Sequence, residues 1–583
     1  MQLHKMNRIC MCLILILAGI TGTGVFYGIS KNSSIEPPQG IRDKLTAYDL
    51  LNNNPAELVH NDYFMPIGNI LPAAHQLCGV IEFSESEMTT SHPDTSWMGS
   101  GNRIFPAFSL PVMSTKEHFI PLKRGIIYSG DINNSLWNII VSPGRVWQEP
   151  GDNGYSRASF PFLFTDNYIG QARNGIATFV FNDSEISSVA IQVSQETAPV
   201  DGYTLANFIG IIPAQYTPKT LSDVNEHILN FEAEQVNMLS LHPWTELPSS
   251  YLTQSFFNGG LQPDTISMAA LYIDEHLYIQ PVHTRTGLFP YPTQMRHGVF
   301  SVTKSLGMGL AMFYAAEKYG EDIFDTLITD YVPILSDHPG WQGVTFENVL
   351  SMATGTQGSD QGDDIVPFII ARSAEGKIAA INALPDSYPL PGKEFHYAST
   401  HTFVLSYALN QYVKSQEGPD ADYWELVRQD VLKPLGIEHL PLTRTIEDEG
   451  KLGTPIMGWG SYPNVIEAAK IGRLLCDEGR FKDRQLLNKN KVREALYRTS
   501  KTGLGAGTSY GRHQRYLNSM WILHVELTHC DIHAPSMRGH GGNHVIMLPS
   551  GVVAIRFSDA NFYDTAHMVA VAEFYRSSCQ QHQ

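Results

Sequence analysis

Positive charge is scarce in this chain. Forty Lys and Arg face 58 Asp and Glu across 583 residues, a net charge of −18. Phosphate backbones are held by clustered Lys and Arg, so a nucleic-acid partner is not expected. Cysteine is scarce too. Of six, only Cys78, Cys476, Cys530 and Cys579 lie beyond the first 29 residues. Four scattered cysteines do not make a disulfide framework. Full pairing would leave three connectivities open, and a single bridge would be unsurprising. Ser301 lacks the G-x-S-x-G elbow of α/β-hydrolases, and no phosphate-cradling glycine loop is evident. His524, His529, Cys530 and His533 are zinc-type side chains, but they do not form a compelling ligand set. A His-rich surface loop is the expectation there, and neither a metal nor an organic cofactor is expected.

What is present describes an ordinary folded protein. Hydrophobic residues make up 43% and charged residues 17%, enough for two or three domains with a large core. Residues 1–29 read as a targeting segment. Lys5 and Arg8 precede an apolar run from Ile9 to Ile20 that continues to Ile29. That suits either a signal peptide or an N-terminal membrane anchor, with residues 9–29 as a tether. The basic flank then puts the bulk of the chain outside the cytoplasm, periplasmic or secreted. Residues 30–60 are polar, carry Glu36-Pro37-Pro38-Gln39-Gly40, and read as a linker.

Residues 61–240 read as β-rich. Leu136–Val141, Ala177–Phe181 and Val189–Val193 have strand character, and the last alternates as a strand with one buried face does. Turn clusters such as Pro150-Gly151-Asp152-Asn153-Gly154 separate them, so a sandwich or barrel is expected. Trp97, Trp137, Trp147, Tyr155, Phe160, Phe162 and Phe164 make the region aromatic. They are read as core, with a sugar-binding platform as the alternative.

Residues 241–583 alternate differently. A helix over Leu221 to about Met238 leads into strands at Thr265–Ile273 and His276–Val282, joined by an Asp274-Glu275 turn. Helices follow at Phe300–Tyr319, after the Thr345 N-cap, at Thr402–Val413 and at Asn464–Cys476. Pro549-Ser550-Gly551 turns a last hairpin, and a helix from Asp564 to Ser577 ends the domain. Strands first, helices in the middle, strands and a helix last make an α+β domain whose sheet is closed by both ends.

Ser301-Val302-Thr303-Lys304 opens the first of those helices. Residues three apart share a helix face, so the hydroxyl sits beside the amine. A hydroxyl becomes a useful nucleophile once a base takes its proton. An amine can do that when burial or a positive neighbour lowers its pKa. Two further segments follow in order: Pro391-Gly392-Lys393-Glu394-Phe395-His396-Tyr397-Ala398-Ser399-Thr400, then Arg538-Gly539-His540-Gly541-Gly542-Asn543.

Together these segments resemble the serine hydrolases related to class C β-lactamases, a family of β-lactamases, D-aminopeptidases, esterases and aminohexanoate-oligomer hydrolases. Ala353-Thr354-Gly355 and Met457-Gly458-Trp459-Gly460-Ser461 resemble its supporting turns. The resemblance spans about residues 255–578. It implies a β-lactamase/transpeptidase-like domain, with Ser301 as nucleophile, Lys304 as its activator and Tyr397 as base and proton donor. Ser399 would bond within the site, and backbone N–H groups of Ser301 and Asn543 would form the oxyanion hole, the latter on a strand edge opened by Gly541 and Gly542. Where β-lactamases carry K-T-G, this chain has His540-Gly541-Gly542. A literal Lys501-Thr502-Gly503 is read as coincidence, in a loop with no strand after it.

The expected substrate is a small ester, amide or short peptide. His540, with an ordinary pKa near ~6.5, is expected to attract a substrate carboxylate more as pH falls from 8 to 6. Because every motif lies after residue 240, a fragment beginning near Ser240 is expected to keep the chemical step. The alternatives are a catalytically silent scaffold of this fold, or a protein that works by binding glycan or peptidoglycan through residues 61–240.

Overall fold

The computed structural model describes residues 35–579, except 91–102, 130–133, 167, 198–207, 221–222, 237, 248–252, 359, 361–362, 386–389, 508–512 and 528. The apolar segment 9–29 and Trp97 therefore lie outside the described residues. Among the described residues, no helix is long and apolar enough to cross a membrane. The chain divides into two compact units that are interleaved in sequence. One takes residues up to Asn237 with Gln262–Met268 and Pro281–His297; the other takes Met238–Leu261, Ala269–Gln280 and Gly298 onward.

The first unit is built on antiparallel strands β1 (Cys78–Phe83), β2 (Phe108–Ser114), β3 (His118–Pro121), β4 (Trp137–Val141), β5 (Gly144–Trp147), β6 (Ser156–Asp166), β7 (Ala172–Phe181), β8 (Val189–Thr197), β9 (Phe208–Ile212) and β10 (Ala214–Pro218). They pair in the order β10-β1-β2-β3-β5-β6-β7-β8-β9, with β4 also on β6. β9 pairs with β8 and, one proline later, β10 pairs with β1. One extended run of chain thus returns the last strand to the first and closes a barrel.

Alternate side chains fill that barrel: Ile81, Leu110, Phe119, Trp137, Phe160, Phe162, Phe164, Phe179 and Ile191 belong to one buried cluster. Packing the large rings needs space elsewhere. A Cβ at Gly175 would fall 2.3 Å from the Phe162 ring, so the glycine is where the ring lies. Trp137, Trp147, Phe160, Phe162 and Phe164 are all buried, as core aromatics are. Only Tyr155 of the described set is partly exposed, donating its hydroxyl to Glu185 at 2.9 Å.

Two expectations change here. β8 is buried on both faces from Val189 to Gln195, because Gln192 on its polar side bonds the main chain of Val59 in both directions, at 3.0 and 2.9 Å. The stretch expected to be a linker is, from residue 35, packed structure. Leu45, Leu50 and Val59 are buried, and Arg42 forms a two-pronged pair with Glu149 at 2.7 and 2.8 Å. Enough apolar side chains sit between its polar residues to hold it down.

The second unit's sheet contains β11 (Ser240–Pro243), β12 (Ile266–Ile273), β13 (His276–Ile279), β14 (Leu504–Gly505), β15 (Arg515–Leu517), β16 (Met520–Glu526), β17 (Asp531–Gly539), β18 (Asn543–Met547) and β19 (Val553–Ser558). Their order is β11-β13-β12-β19-β18-β17-β16-β15-β14. Early strands thus sit beside the last one, as expected for a sheet closed by both ends of the domain. Asp274 and Glu275 turn the β12–β13 hairpin with φ of 48° and 69°, the left-handed pair that a two-residue turn needs.

Helix α1 (Leu310–Tyr319) is capped by Gly320 at φ 100°. Helix α2 (Ser399–Glu417) follows the second motif. Helix α3 (Val465–Cys476) starts on a reciprocal Asn464–Glu467 cap. Helix α4 is Ala566–Tyr575. The Cys530–Cys579 disulfide ties the chain after α4 to the β16–β17 turn, while Cys78 and Cys476 are free thiols. Cys530 is therefore unavailable as a zinc ligand. Among the described residues no group of three or more His, Cys, Asp or Glu is placed to hold a metal.

Candidate active site

Ser301 lies on a tight turn rather than inside a regular α-helix. Lys304 N donates to Ser301 O at 3.0 Å, and Lys304–Gly309 is a wider π-helical turn before α1 begins. Phe300, just before the serine, has φ 46°, a costly value for an aromatic residue. Its ring meets the His540 ring edge-on at 5.3 Å between centroids.

Lys304 is almost fully buried. Its amine donates to Ser301 Oγ at 2.7 Å, Ser399 Oγ at 2.6 Å and the Gly458 carbonyl at 2.8 Å. It also lies 4.6 Å from the centre of the Tyr397 ring. Burial pulls its pKa down to about 8, against Asp360, whose charge holds it up. Desolvation penalises the ammonium, and the three acceptors keep it from being abandoned in the interior. An amine of that strength can give up and regain a proton near neutral pH.

The three segments singled out in the sequence converge around this amine. Ser399 is the first residue of α2, which places Tyr397 just ahead of it. Tyr397 packs with Phe395 against Met352, Tyr516 and Trp521, its ring 5.6 Å from that of Trp521. The Gly458 turn is anchored to the serine's helix by Thr303, whose hydroxyl lies 2.8 Å from Ser461 Oγ and accepts from Ser461 N at 3.2 Å.

The third segment approaches through backbone. A Cβ on Gly539 would fall 2.1 Å from Val299 O, so the end of β17 lies directly against the chain that leads into Ser301. The last cross-strand pair of β16 with β17 is Trp521 with Ser536. β17 runs three residues beyond it, so its edge on that side continues to Gly539.

Asn543 does not stand on this edge. It opens β18, an inner strand between β17 and β19, and its side chain is spent inside the turn. Its amide donates to His540 O at 2.7 Å and accepts from Ser558 N at 3.0 Å. The chain reverses through Gly541 and Gly542, with φ of 83° and 88°, so the strand edge ends at Gly539. Burial pushes His540 down to about 4, and its Nε2 has no hydrogen-bond partner among the described residues. It is thus neutral from pH 8 to 6. The expected gain in positive charge over that range does not occur, because desolvation outweighs the imidazole's ordinary basicity.

Lys501-Thr502-Gly503 is followed by a short strand after all, β14 at the sheet's far end. The Lys501 amine is taken up by Glu347 and by Glu494, the latter at 3.3 Å, and so is not a substrate-facing cation. Sequence reasoning missed Asp360. Its carboxylate accepts from Ser399 N at 2.6 Å and from Ser399 Oγ at 2.7 Å. No spacing announces it, since 39 residues separate the pair. The only hint was its place five residues after the Ala353-Thr354-Gly355 turn.

Residues 276–543 match the family model named Beta-lactamase. Comparison with curated proteins finds no match. Among solved structures, a penicillin-binding protein homologue from Caulobacter crescentus is 16% identical, covering 59% of this chain and 97% of its own, with a TM-score of 0.42. A D-stereospecific amidohydrolase from Streptomyces sp. is 14% identical, covering 56% of this chain and 98% of its own, with a TM-score of 0.41. A penicillin-binding protein from Bacillus halodurans is 16% identical, covering 60% of this chain and 98% of its own, with a TM-score of 0.38. The assignment rests on the family model and not on these distant likenesses. Residues 276–543 thus match the β-lactamase family, and this part of the chain is that of a serine hydrolase of the β-lactamase-related kind.

Proposed function

We propose that this hydrolase acts outside the cytoplasm on a small ester, amide or short peptide, through an acyl-enzyme on Ser301. The observation that carries the proposal is the buried Lys304 amine, 2.7 Å from Ser301 Oγ and weakened to about 8. In its neutral form the amine takes the Ser301 proton as the oxygen attacks the carbonyl carbon. Tyr397, in contact with the same amine through its ring, shares the base role and returns the proton to the leaving group. The oxyanion is held by backbone N–H donors, Ser301 N–H among them. Such donors matter most because they meet charge that develops only in the transition state. Water then enters, is deprotonated by the same pair, and releases the acid.

The location outside the cytoplasm is supported by the basic and apolar residues of the first 29 positions and by the Cys530–Cys579 disulfide, a bond that persists in oxidising compartments. A fluorophosphonate probe on the purified protein, followed by peptide mass spectrometry, should label Ser301. Equal labelling of Ser301→Ala would refute the assignment. A panel of nitrophenyl esters, nitrocefin and D-amino-acid anilides then sorts the substrate class.

A further inference from the structure

Two hydrogen bonds behind the lysine decide where its lone pair can point. The Gly458 carbonyl can only accept, so it takes one Lys304 N–H at 2.8 Å. Ser399 Oγ can in principle donate or accept. Its own proton, however, faces Asp360 Oδ2 at 2.7 Å, and an ionised carboxylate has nothing to donate. Ser399 Oγ is thereby left as an acceptor for a second Lys304 N–H, at 2.6 Å. A neutral amine has only two N–H groups. With both committed, its lone pair faces the remaining neighbour, Ser301 Oγ.

The segment that carries Asp360 is fastened to the start of α2. His401, buried in that helix, lies 2.9 Å from Gln357 O through Nε2 and 3.2 Å from Thr354 Oγ1 through Nδ1. Since a carbonyl only accepts, Nε2 carries the proton and Nδ1 accepts from the threonine. His396 Nε2 likewise donates to Gly358 O. Asp360 also accepts Ser399 N at 2.6 Å, so both carboxylate oxygens are fixed on one residue.

We infer that Asp360 is a positioning residue of the acylation step: through Ser399 it fixes the Lys304 amine so that its free electron pair faces Ser301. The inference rests on the proposed role of Ser301 and Lys304. Without the carboxylate, the Ser399 hydroxyl is free to turn and donate to the amine, in competition with Ser301. Asp360 also keeps Lys304 from losing its proton too readily, since its charge raises the lysine pKa that burial lowers. The titratable groups facing this amine among the described residues are Tyr397, from the segment before α2, and Asp360. Tyr516 of β15 faces Asp360 in turn and is itself pushed upward, mainly by burial.

The test follows the rate of fluorophosphonate labelling of full-length protein from pH 6 to 10, for wild type, Asp360→Asn, Asp360→Glu, Ser399→Ala and the double variant Asp360→Asn/Ser399→Ala. Asp360→Asn should lower the limiting rate at least tenfold and move the acidic limb to lower pH by about one unit, the low end for a nearby charge. Asp360→Glu should restore the limb and part of the rate. In the Ser399→Ala background the same Asn substitution should lower the limiting rate little further, because the two residues act as one unit. A wild-type limiting rate and limb in Asp360→Asn would overturn the inference, as would a rate loss that multiplies fully in the double variant. If Ser301→Ala is labelled as fast as wild type, the nucleophile assignment fails instead, and the two failures are distinguishable.

Discussion

The Lys304 amine hangs 4.6 Å over the centre of the Tyr397 ring, so the two candidate bases touch through the ring face. A cation there is favoured by the ring's negative face, while burial disfavours it and draws the lysine down to about 8. In the proposed mechanism the active form carries the neutral amine, whose fraction grows as pH rises. We expect kcat/KM for a neutral ester to climb between pH 7 and 9, with an inflection near 8. Lys304→Arg, charged throughout, should lose about 10²–10⁴-fold, the usual worth of a general base. A flat profile over that range would mean that another group limits the reaction.

His540 stands where the β-lactamase motif has lysine, and it is neutral at working pH. Carboxylate-bearing substrates should therefore be poor relative to neutral ones, and the ratio should not change between pH 8 and 6. His540→Lys should raise kcat/KM for nitrocefin relative to a nitrophenyl ester, provided the new amine keeps its proton. Steady-state kinetics on both substrates decides it. Efficient nitrocefin turnover by the wild type, with no gain in the variant, would remove His540 from specificity.

Gly539 has no room for a methyl group, since its Cβ would lie 2.1 Å from Val299 O. Gly539→Ala must push β17 away from the residues leading to Ser301. A displacement near one ångström at a reacting centre costs about 10²-fold in rate. Labelling of Ser301 should fall by that order while the protein keeps its circular dichroism spectrum. Unchanged labelling would show that the turn can absorb the shift.

Cutting the chain at Ser240 should destroy activity, contrary to what the motif positions alone suggest. Residues 281–297 lead straight into the Ser301 turn, yet they belong to the first unit. Asn61 N donates to Thr286 O at 2.8 Å, Thr286 Oγ1 donates to Asn61 Oδ1 at 2.8 Å, and Tyr291 donates to Ser159 O at 3.1 Å. Without those partners, buried polar groups lose their bonds, at about 1–3 kcal/mol each. A soluble fragment from residue 240 that labels at the wild-type rate would contradict this.

Local chemistry carries far in this protein. Ser301 and Lys304 come together because three residues make one turn, and the Asn464 cap, the Asp274-Glu275 hairpin and the Gly320 stop follow from short-range geometry. The order of three motifs was enough to point to the family, and the order of strands and helices to the α+β sheet closed by both ends of its domain. What the sequence could not determine depended on residues far apart in the chain. Asp360 meets Ser399 across 39 positions, and neither residue's neighbours predict the other. Trp137 and Phe162 read as core, with a binding platform as the alternative, and it is their burial in the folded first unit that excludes the platform. His540 reads as an ordinary imidazole until folding strips away its water. Burial and long-range pairing are properties of the packed chain, so the pKa of Lys304, the neutrality of His540 and the partner of Ser399 were decided only when the elements came together.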